Sequence, residues 1–320
     1  MTTIISGISG QDGHFLAKVL LALGHNVVGW ENLGSVSKSR YLHSNLAYQG
    51  VQLANSDSVK KEIRISDPSI FIHLAAYSFA RPPKEHEHNL LDVNFLSVFH
   101  ILNALRDYAP NCRFLLASSA EVFGSPDHSP QSESSALSPR TLYGTSKAAA
   151  QMLVAQYRRQ YKMFACSAIL FNHESVRRPP QFVTRKITQA AARIKLGLQD
   201  KIVLGNLESQ RDWTAAEDVV EAMVKMTQAP VAKDYVIGSG RLHSVEQFGT
   251  IAFERLGLRF LDHVEVDPQF WQPKEEFPLC ANASLIQRDL GWSPKISLNQ
   301  MIETMVDYDY AEQLELKNKK

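Results

Sequence analysis

The run Thr2-Thr-Ile-Ile-Ser6-Gly7-Ile-Ser-Gly10-Gln-Asp-Gly13 decides the fold. Its β-branched start predicts a strand, and its three glycines predict a tight turn that lets backbone approach a pyrophosphate. Phe15, Leu16, Val19, Leu20 and Leu23 then follow a helical pattern. Strand, glycine-rich turn and helix in that order open a dinucleotide-binding α/β sheet, with the pyrophosphate on the helix N-terminus. Gly7, Ser9, Gly10, Gln11, Asp12 and Gly13 are the candidate contacts. His25–Trp30 reads as the second strand, with Glu31 at its end. A carboxylate about 20 residues after the loop accepts from the adenosine ribose hydroxyls and repels a 2′-phosphate. That favours NAD, while Lys38 and Arg40 close behind leave NADP open.

Composition narrows the function classes. The 34 basic and 33 acidic residues give a net charge of +1, which argues against bulk electrostatic binding to nucleic acid or membrane. Cys112, Cys166 and Cys280 are too scattered for a disulfide framework or a metal knuckle and read as buried thiols. With no signal-peptide pattern and no apolar run of roughly 18 residues, a cytoplasmic protein is expected. The charged tail Leu314–Lys320 is expected to fray.

Working outward, Ile70–Leu74 reads as another buried strand. Leu74, the small Ala75 and Ala76, and Ser78 suit close passage of a cofactor. A helix is predicted over 89–108, and Arg113–Ala117 is a short strand delivering Ser119 and Glu121 to its carboxyl end. The Ser/Pro-rich 125–140 stretch reads as a lid or substrate edge, or equally as passive surface. Tyr143 and Lys147, four apart at the start of a helix over 145–161, face one way. An ammonium beside a phenol lowers the phenol pKa, and such a Tyr can take a proton from a sugar hydroxyl. A strand over 164–171 follows, then the polar 172–180, whose Arg177-Arg178 suits phosphate recognition. The second half alternates small strands and helices without a second glycine loop. The expected fold is α/β: a Rossmann-type doubly wound parallel sheet over 1–171, with later segments returning to it, and a smaller mixed α/β substrate-binding lobe over 172–320.

These residues carry a resemblance. The motifs are Ser6-Gly-Ile-Ser-Gly-Gln-Asp-Gly13, Ala117-Ser-Ser-Ala-Glu121, Tyr143-x-x-x-Lys147, Leu170-Phe-Asn-His-Glu-Ser175, Phe182-Val-Thr-Arg-Lys-Ile-Thr188 and Arg211-Asp-Trp213. Over nearly its whole length the chain resembles the nucleotide-sugar branch of the extended short-chain dehydrogenase/reductases, and within it the GDP-mannose 4,6-dehydratases. The resemblance implies Ser119, Glu121, Tyr143 and Lys147 as catalytic residues. It implies His173 and Arg178 as cofactor contacts beside Tyr143 and Lys147. Ser119, Asn172, Arg211 and Glu275 fall at its substrate positions. Departures are Glu31 where NADP users carry arginines, Ala120 where a hydroxyl residue stands beside the Glu, Gln52 for an adenine-facing Asp, and Gln272 for an Arg.

The implied reaction is 4,6-dehydration of GDP-mannose or a close relative. Tyr143 removes the 4-hydroxyl proton, Glu121 removes the C5 proton, and water leaves C6. A C4 epimerase or 4-keto reductase needs Ser119, Tyr143 and Lys147 but no C5 base. A non-catalytic nucleotide-sugar-binding protein is the alternative of a different class. The resemblance further implies a homodimer through the 89–108 and 145–161 helices, with a tetramer, built through 35–44, as the other option.

Overall fold

The computed structural model describes residues 1–32, 46–78, 84, 87–270 and 276–319. Lys38, Arg40, Gln272, Glu275 and the tetramer segment 35–44 lie outside the described residues.

The main sheet is built from β1 (Thr2–Ser6), β2 (Asn26–Glu31), β3 (Ala47–Gly50), β4 (Ile70–His73), β5 (Arg113–Ala117), β6 (Ala165–Leu170) and, much later, β10 (Tyr235–Ile237). Its order is β10-β6-β5-β4-β1-β2-β3, and every pairing within it is parallel. This is the doubly wound order, and the order in which strands are added reverses between β1 and β4. Ser6 pairs with both Trp30 and His73, so three carboxyl ends finish level at that switch point.

Strands buried on both faces explain the short, nearly continuous apolar runs. Alternation sends Ile5 and Ile72 to one side and Ile4 and Phe71 to the other. On the first side they pack with α1 (Gln11–Ala22), α7 (Ala216–Gln228) and α9 (Ser284–Leu290) through Leu16, Leu20, Val220, Met223 and Ile286. On the second they meet α2 (Ser56–Ser66), α4 (Ser97–Tyr108) and α5 (Leu142–Tyr161) through Val59, Ile101, Leu105 and Val154. The predicted 89–108 helix is helical throughout, but α3 (Glu87–Leu91) and α4 are joined by a π-turn at Asp92–Leu96. β3 and α2 were not expected from the sequence.

The smaller lobe holds the sheet β11-β9-β7, from β7 (Asn172–Glu174), β9 (Gln210–Ala215) and β11 (Leu242–Ser244), and a pair of β8 (Ile202–Leu204) with β12 (Val264–Val266). α6 (Val183–Lys195), α8 (Val245–Glu254) and α10 (Leu298–Asn318) close its core around Ile187, Trp213, Phe248, Phe253 and Ile302. We propose a lobe boundary at Phe171; β10 joins the main sheet, and α7 and α9 pack in its core. The first three residues of the polar 172–180 stretch form β7 and the rest is turn, and the tail expected to fray is helical to Asn318. All three cysteines are buried and unpaired.

The 125–140 stretch lies largely at the surface but is anchored at one buried residue. Gln131 is fully buried and satisfied on every side: its N–H donates to Cys280 O at 2.8 Å, and its Oε1 accepts from Cys280 N at 2.9 Å. Its carbonyl accepts from Asn282 N at 2.8 Å, and its Nε2 donates to His128 O at 2.6 Å. The stretch is thereby fastened to the segment that leads into α9.

His73 ends β4 inside the core, with Nδ1 2.7 Å from Ser6 Oγ and Nε2 3.1 Å from Ser97 Oγ. Burial, and then the Lys147 charge, push its pKa down to about 3. The unfolded imidazole titrates near 6.5, so below that pH the unfolded chain binds a proton that the folded chain refuses. His73 therefore contributes its full stability above about pH 6.5 and loses up to about 1.4 kcal/mol per pH unit as pH falls towards 3. Denaturant melts of wild type and His73→Gln between about pH 7 and 5 check this. The variant is expected to be less stable at pH 7 but to show a shallower pH slope; equal slopes would contradict the assignment.

Candidate active site

A cleft of about 1240 Å³ opens at the carboxyl ends of β1, β2, β4, β5 and β6. One wall is the glycine turn. Gly7 has φ +73, and a Cβ there would lie 2.8 Å from Ala75 N, so only glycine lets the turn lie against the end of β4. The Ser9 N–H donates to Glu31 Oε1 at 2.5 Å, so the carboxylate at the end of β2 reaches the same turn. Gly7, Ser9, Gly10, Gln11, Asp12, Gly13, Glu31, Leu74, Ala75, Ala76 and Ser78 all line the cleft.

The opposite wall follows β5. Ser119 is extended, and its Oγ accepts from Glu121 N at 3.2 Å, which starts a single 3₁₀ turn at Ala120–Val122. α5 begins nearby, capped by Thr141 Oγ1 accepting from Gly144 N at 3.0 Å. A Cβ on Gly144 would come 2.5 Å from Glu121 O, so glycine beside Tyr143 lets the helix touch the Glu121 turn. Ser119, Glu121, Tyr143 and Lys147 thus line one cleft.

One expectation fails here. The phenol pKa is not lowered on balance: Lys147 Nζ donates to Ala117 O at 2.9 Å and sits 6.0 Å from the centre of the Tyr143 ring. Burial raises the Tyr143 pKa above its ordinary value. Glu121 and Asp12 add to this, and a hydrogen bond with Ser119 and the Arg178 charge oppose it. Burial likewise pulls Lys147 down to about 8.

His173 and Arg178 complete the cleft from the smaller lobe. His173 Nδ1 is 2.8 Å from Phe171 O and Nε2 is 2.9 Å from Asp12 Oδ2. Burial pushes the imidazole pKa down, but the Asp12 carboxylate outweighs it and the net shift is upward. Asp12 moves down in return, despite its own burial. An imidazolium–carboxylate pair therefore ties α1 to β7. Gln11 reinforces it, donating to His173 O at 3.1 Å and accepting from Ser175 Oγ at 2.8 Å. Arg178 pairs with Glu174 at 3.1 Å and lies over the Phe182 ring at 3.7 Å.

Of the substrate residues, Ser119 and Asn172 line the cleft. Arg211 sits on β9 with Nη1 2.6 Å from Gln210 O and is not brought to the cleft wall. Ala120 faces inward, in one apolar cluster with Val122, Phe123 and Phe171. Several lining residues were missed, among them Trp30, Asn32, Val51, Leu53, Asn55, Val93 and Gln181. A signal for the Val51–Asn55 part was present: Asn55 caps α2, accepting from Asp57 N at 3.0 Å and Ser58 N at 2.9 Å. An N-cap after a short strand marks a carboxyl-end loop. Val93 is exposed to the cleft by the π-turn, where buried Asn94 holds Tyr77 N at 2.8 Å.

The family model of GDP-mannose 4,6 dehydratase matches residues 4–305. The chain belongs to the GDP-mannose 4,6 dehydratase family. Within it, the chain is 38% identical over 321 residues to GDP-mannose 4,6 dehydratase 2 of Arabidopsis thaliana, covering 96% of this chain and 86% of that one. Among solved structures, UDP-glucose 4-epimerase of Thermotoga maritima matches with a TM-score of 0.84 at 21% identity, over 98% and 100% of the two chains. dTDP-glucose 4,6-dehydratase of Bacillus anthracis matches at 0.82 and 20%, over 99% and 98%. These two likenesses bear on the fold, which family members share with epimerases.

Proposed function

We propose that this chain is a nucleotide-sugar 4,6-dehydratase acting on GDP-mannose or a close relative. The observation that carries the reading is Glu121 facing the same cleft as Ser119, Tyr143 and Lys147, in a member of this family. An epimerase or reductase has no use for that carboxylate. The glycine turn, Glu31 and the Asp12–His173 pair fit a dinucleotide. Bound there, its nicotinamide supplies a hydride acceptor for C4 and a hydride donor for C6. Tyr143 takes the C4 hydroxyl proton, and Ser119 bonds the same oxygen. Lys147 anchors the α5 start to β5 and adds positive charge. The resulting ketone acidifies C5–H, whose proton Glu121 removes and delivers to the departing C6 hydroxyl. Ala120, packed inward, offers no donor for that step, so Glu121 acts as base and then as acid. The test is product analysis, by mass and NMR, of GDP-mannose and related nucleotide sugars incubated without added reductant. A 4-keto-6-deoxy sugar supports the reading; an isomer of unchanged mass replaces it with the epimerase.

The same geometry supports NAD over NADP. The Glu31 carboxylate, held by Ser9 N, would face a 2′-phosphate at close range. The dinucleotide released on denaturing the purified protein is expected to be NAD, and the apo-protein is expected to bind NAD more tightly. Recovery of NADP would overturn this.

For assembly, Leu96, Phe99 and Met152 are apolar side chains left exposed along the π-turn, α4 and α5, and Met152 is 58% exposed. Pairing those helices with a second copy would cover them, which supports a homodimer. Light scattering at micromolar concentration is expected to give twice the chain mass, and Met152→Glu is expected to shift it to a monomer. A wild-type monomer would refute the dimer.

A further inference from the structure

Glu174, the last residue of β7, is a carboxylate that the proposed chemistry does not use. It is 2% exposed, and a charge in such a place is costly unless it is paired and hydrogen-bonded. Its Oε2 accepts from Thr184 Oγ1 at 2.8 Å and lies 3.1 Å from Arg178 Nε. Thr184 is buried too and stands in the first turn of α6. The chain between β7 and α6 turns twice. Arg178 N donates to Ser175 O at 3.0 Å, and Phe182 N donates to Pro179 O at 3.2 Å. Those turns bring Phe182, the residue before α6, against the guanidinium, with Arg178 Cζ 3.7 Å from the ring centre.

Arg178 is thus held on two sides, by a buried carboxylate at Nε and by an aromatic face across the guanidinium plane. Arg178 and Phe182 line the cleft, whereas Glu174 and Thr184 do not. The guanidinium charge reaches Asp12 on α1, His173 on β7 and Tyr143 on α5, so it stands among the groups of the candidate site. A long, free arginine loses rotamer freedom when it grips a ligand. One that is held beforehand loses little, which strengthens and prolongs binding.

We infer that Glu174 is a positioning residue: with Thr184 it fixes Arg178 against Phe182, so that a preset guanidinium meets the anionic dinucleotide. The inference rests on the dinucleotide reading of the cleft. The sign of the effect separates this role from a plain charge effect. The Glu174 carboxylate by itself repels an anionic ligand, so neutralising it without moving Arg178 would tighten binding. Losing its hold on Arg178 loosens binding instead.

The test uses the full-length protein loaded with labelled NAD and follows its release into excess unlabelled NAD. Glu174→Gln is expected to release it about tenfold faster, the scale of one charge-assisted contact. Arg178→Gln is expected to release it at least as fast. The double variant is expected to be no faster than Arg178→Gln alone, since both changes act through one guanidinium. A second readout needs no dinucleotide. The Arg178 δ-methylene protons, assigned with Arg178→Lys, are expected to be shifted upfield by the Phe182 ring in the wild type and to lose most of that shift in Glu174→Gln. Should Glu174→Gln not fold, Thr184→Val takes its place, with release expected to quicken several-fold and the proton shift to shrink; no change in either would then overturn the role. In a folded Glu174→Gln, unchanged or slower release, a retained proton shift, or additive losses in the double variant would overturn it. A wild type that holds no dinucleotide would instead sink the dinucleotide reading, and the proton shift alone would decide whether Glu174 holds Arg178.

Discussion

Tyr143→Phe is expected to lose on the order of ten-thousand-fold in turnover, the upper range for one positioned proton-transfer group. The substitution keeps the ring that sits at the start of α5 and removes only the hydroxyl bonded to Ser119. Folding should be unaffected. The loss falls on the first chemical step, so mixing the variant with GDP-mannose is expected to give no absorbance of reduced nicotinamide and no deuterium at C5. Burial holds the phenol proton above its ordinary range. The wild-type rate of C4 oxidation is therefore expected to climb with pH through neutrality, as the ionised fraction grows, and the residual rate of Tyr143→Phe to stay flat. A variant that still oxidised C4 at near wild-type speed would remove Tyr143 from the proton transfer.

How much of this was legible without coordinates depends on sequence distance. The β1–turn–α1 unit is contiguous, and its period switches from strand to helix within a few residues. Tyr143 and Lys147 share a helix face by spacing alone. Their electrostatics were not legible. The partner of Lys147 is the carbonyl of Ala117, 30 residues away, and that bond fixes its ammonium. The Asp12–His173 pair spans 161 residues and depends on β7 crossing to α1, which no local pattern encodes. β3 and α2 were missed for another reason. β3 is a half-buried edge strand of four residues, and α2 buries only Val59 and Ile63, so neither carries a strong apolar period. Gly144 read as part of a motif. Its physical reason, contact with the Glu121 backbone, appears only when two loops are brought together. Arg211 shows the converse: its place in a family motif did not bring it to the wall of this cleft.

Glu121→Gln is expected to fail later in the reaction than Tyr143→Phe. The amide keeps the size and most of the hydrogen bonding of the carboxylate, so the 3₁₀ turn and the Gly144 contact should persist. Ser119, Tyr143 and Lys147 remain, and the sugar should still be oxidised at C4. What disappears is the group that removes the C5 proton, which typically costs on the order of a hundred- to ten-thousand-fold. Ala120 lies in an apolar cluster, and no neighbouring hydroxyl at that position can substitute as the acid for C6. The single-turnover signature is therefore a rise in reduced-nicotinamide absorbance that does not decay, with no solvent deuterium entering at C5 and no water lost. Adding a hydroxyl alone, by Ala120→Ser in the Glu121→Gln background, is not expected to rescue it, since the missing function is a base. Restored or unimpaired dehydration in Glu121→Gln would assign C5 deprotonation to another group. Simple isomerisation at C4 in both wild type and variant would make Glu121 a bystander and the protein an epimerase.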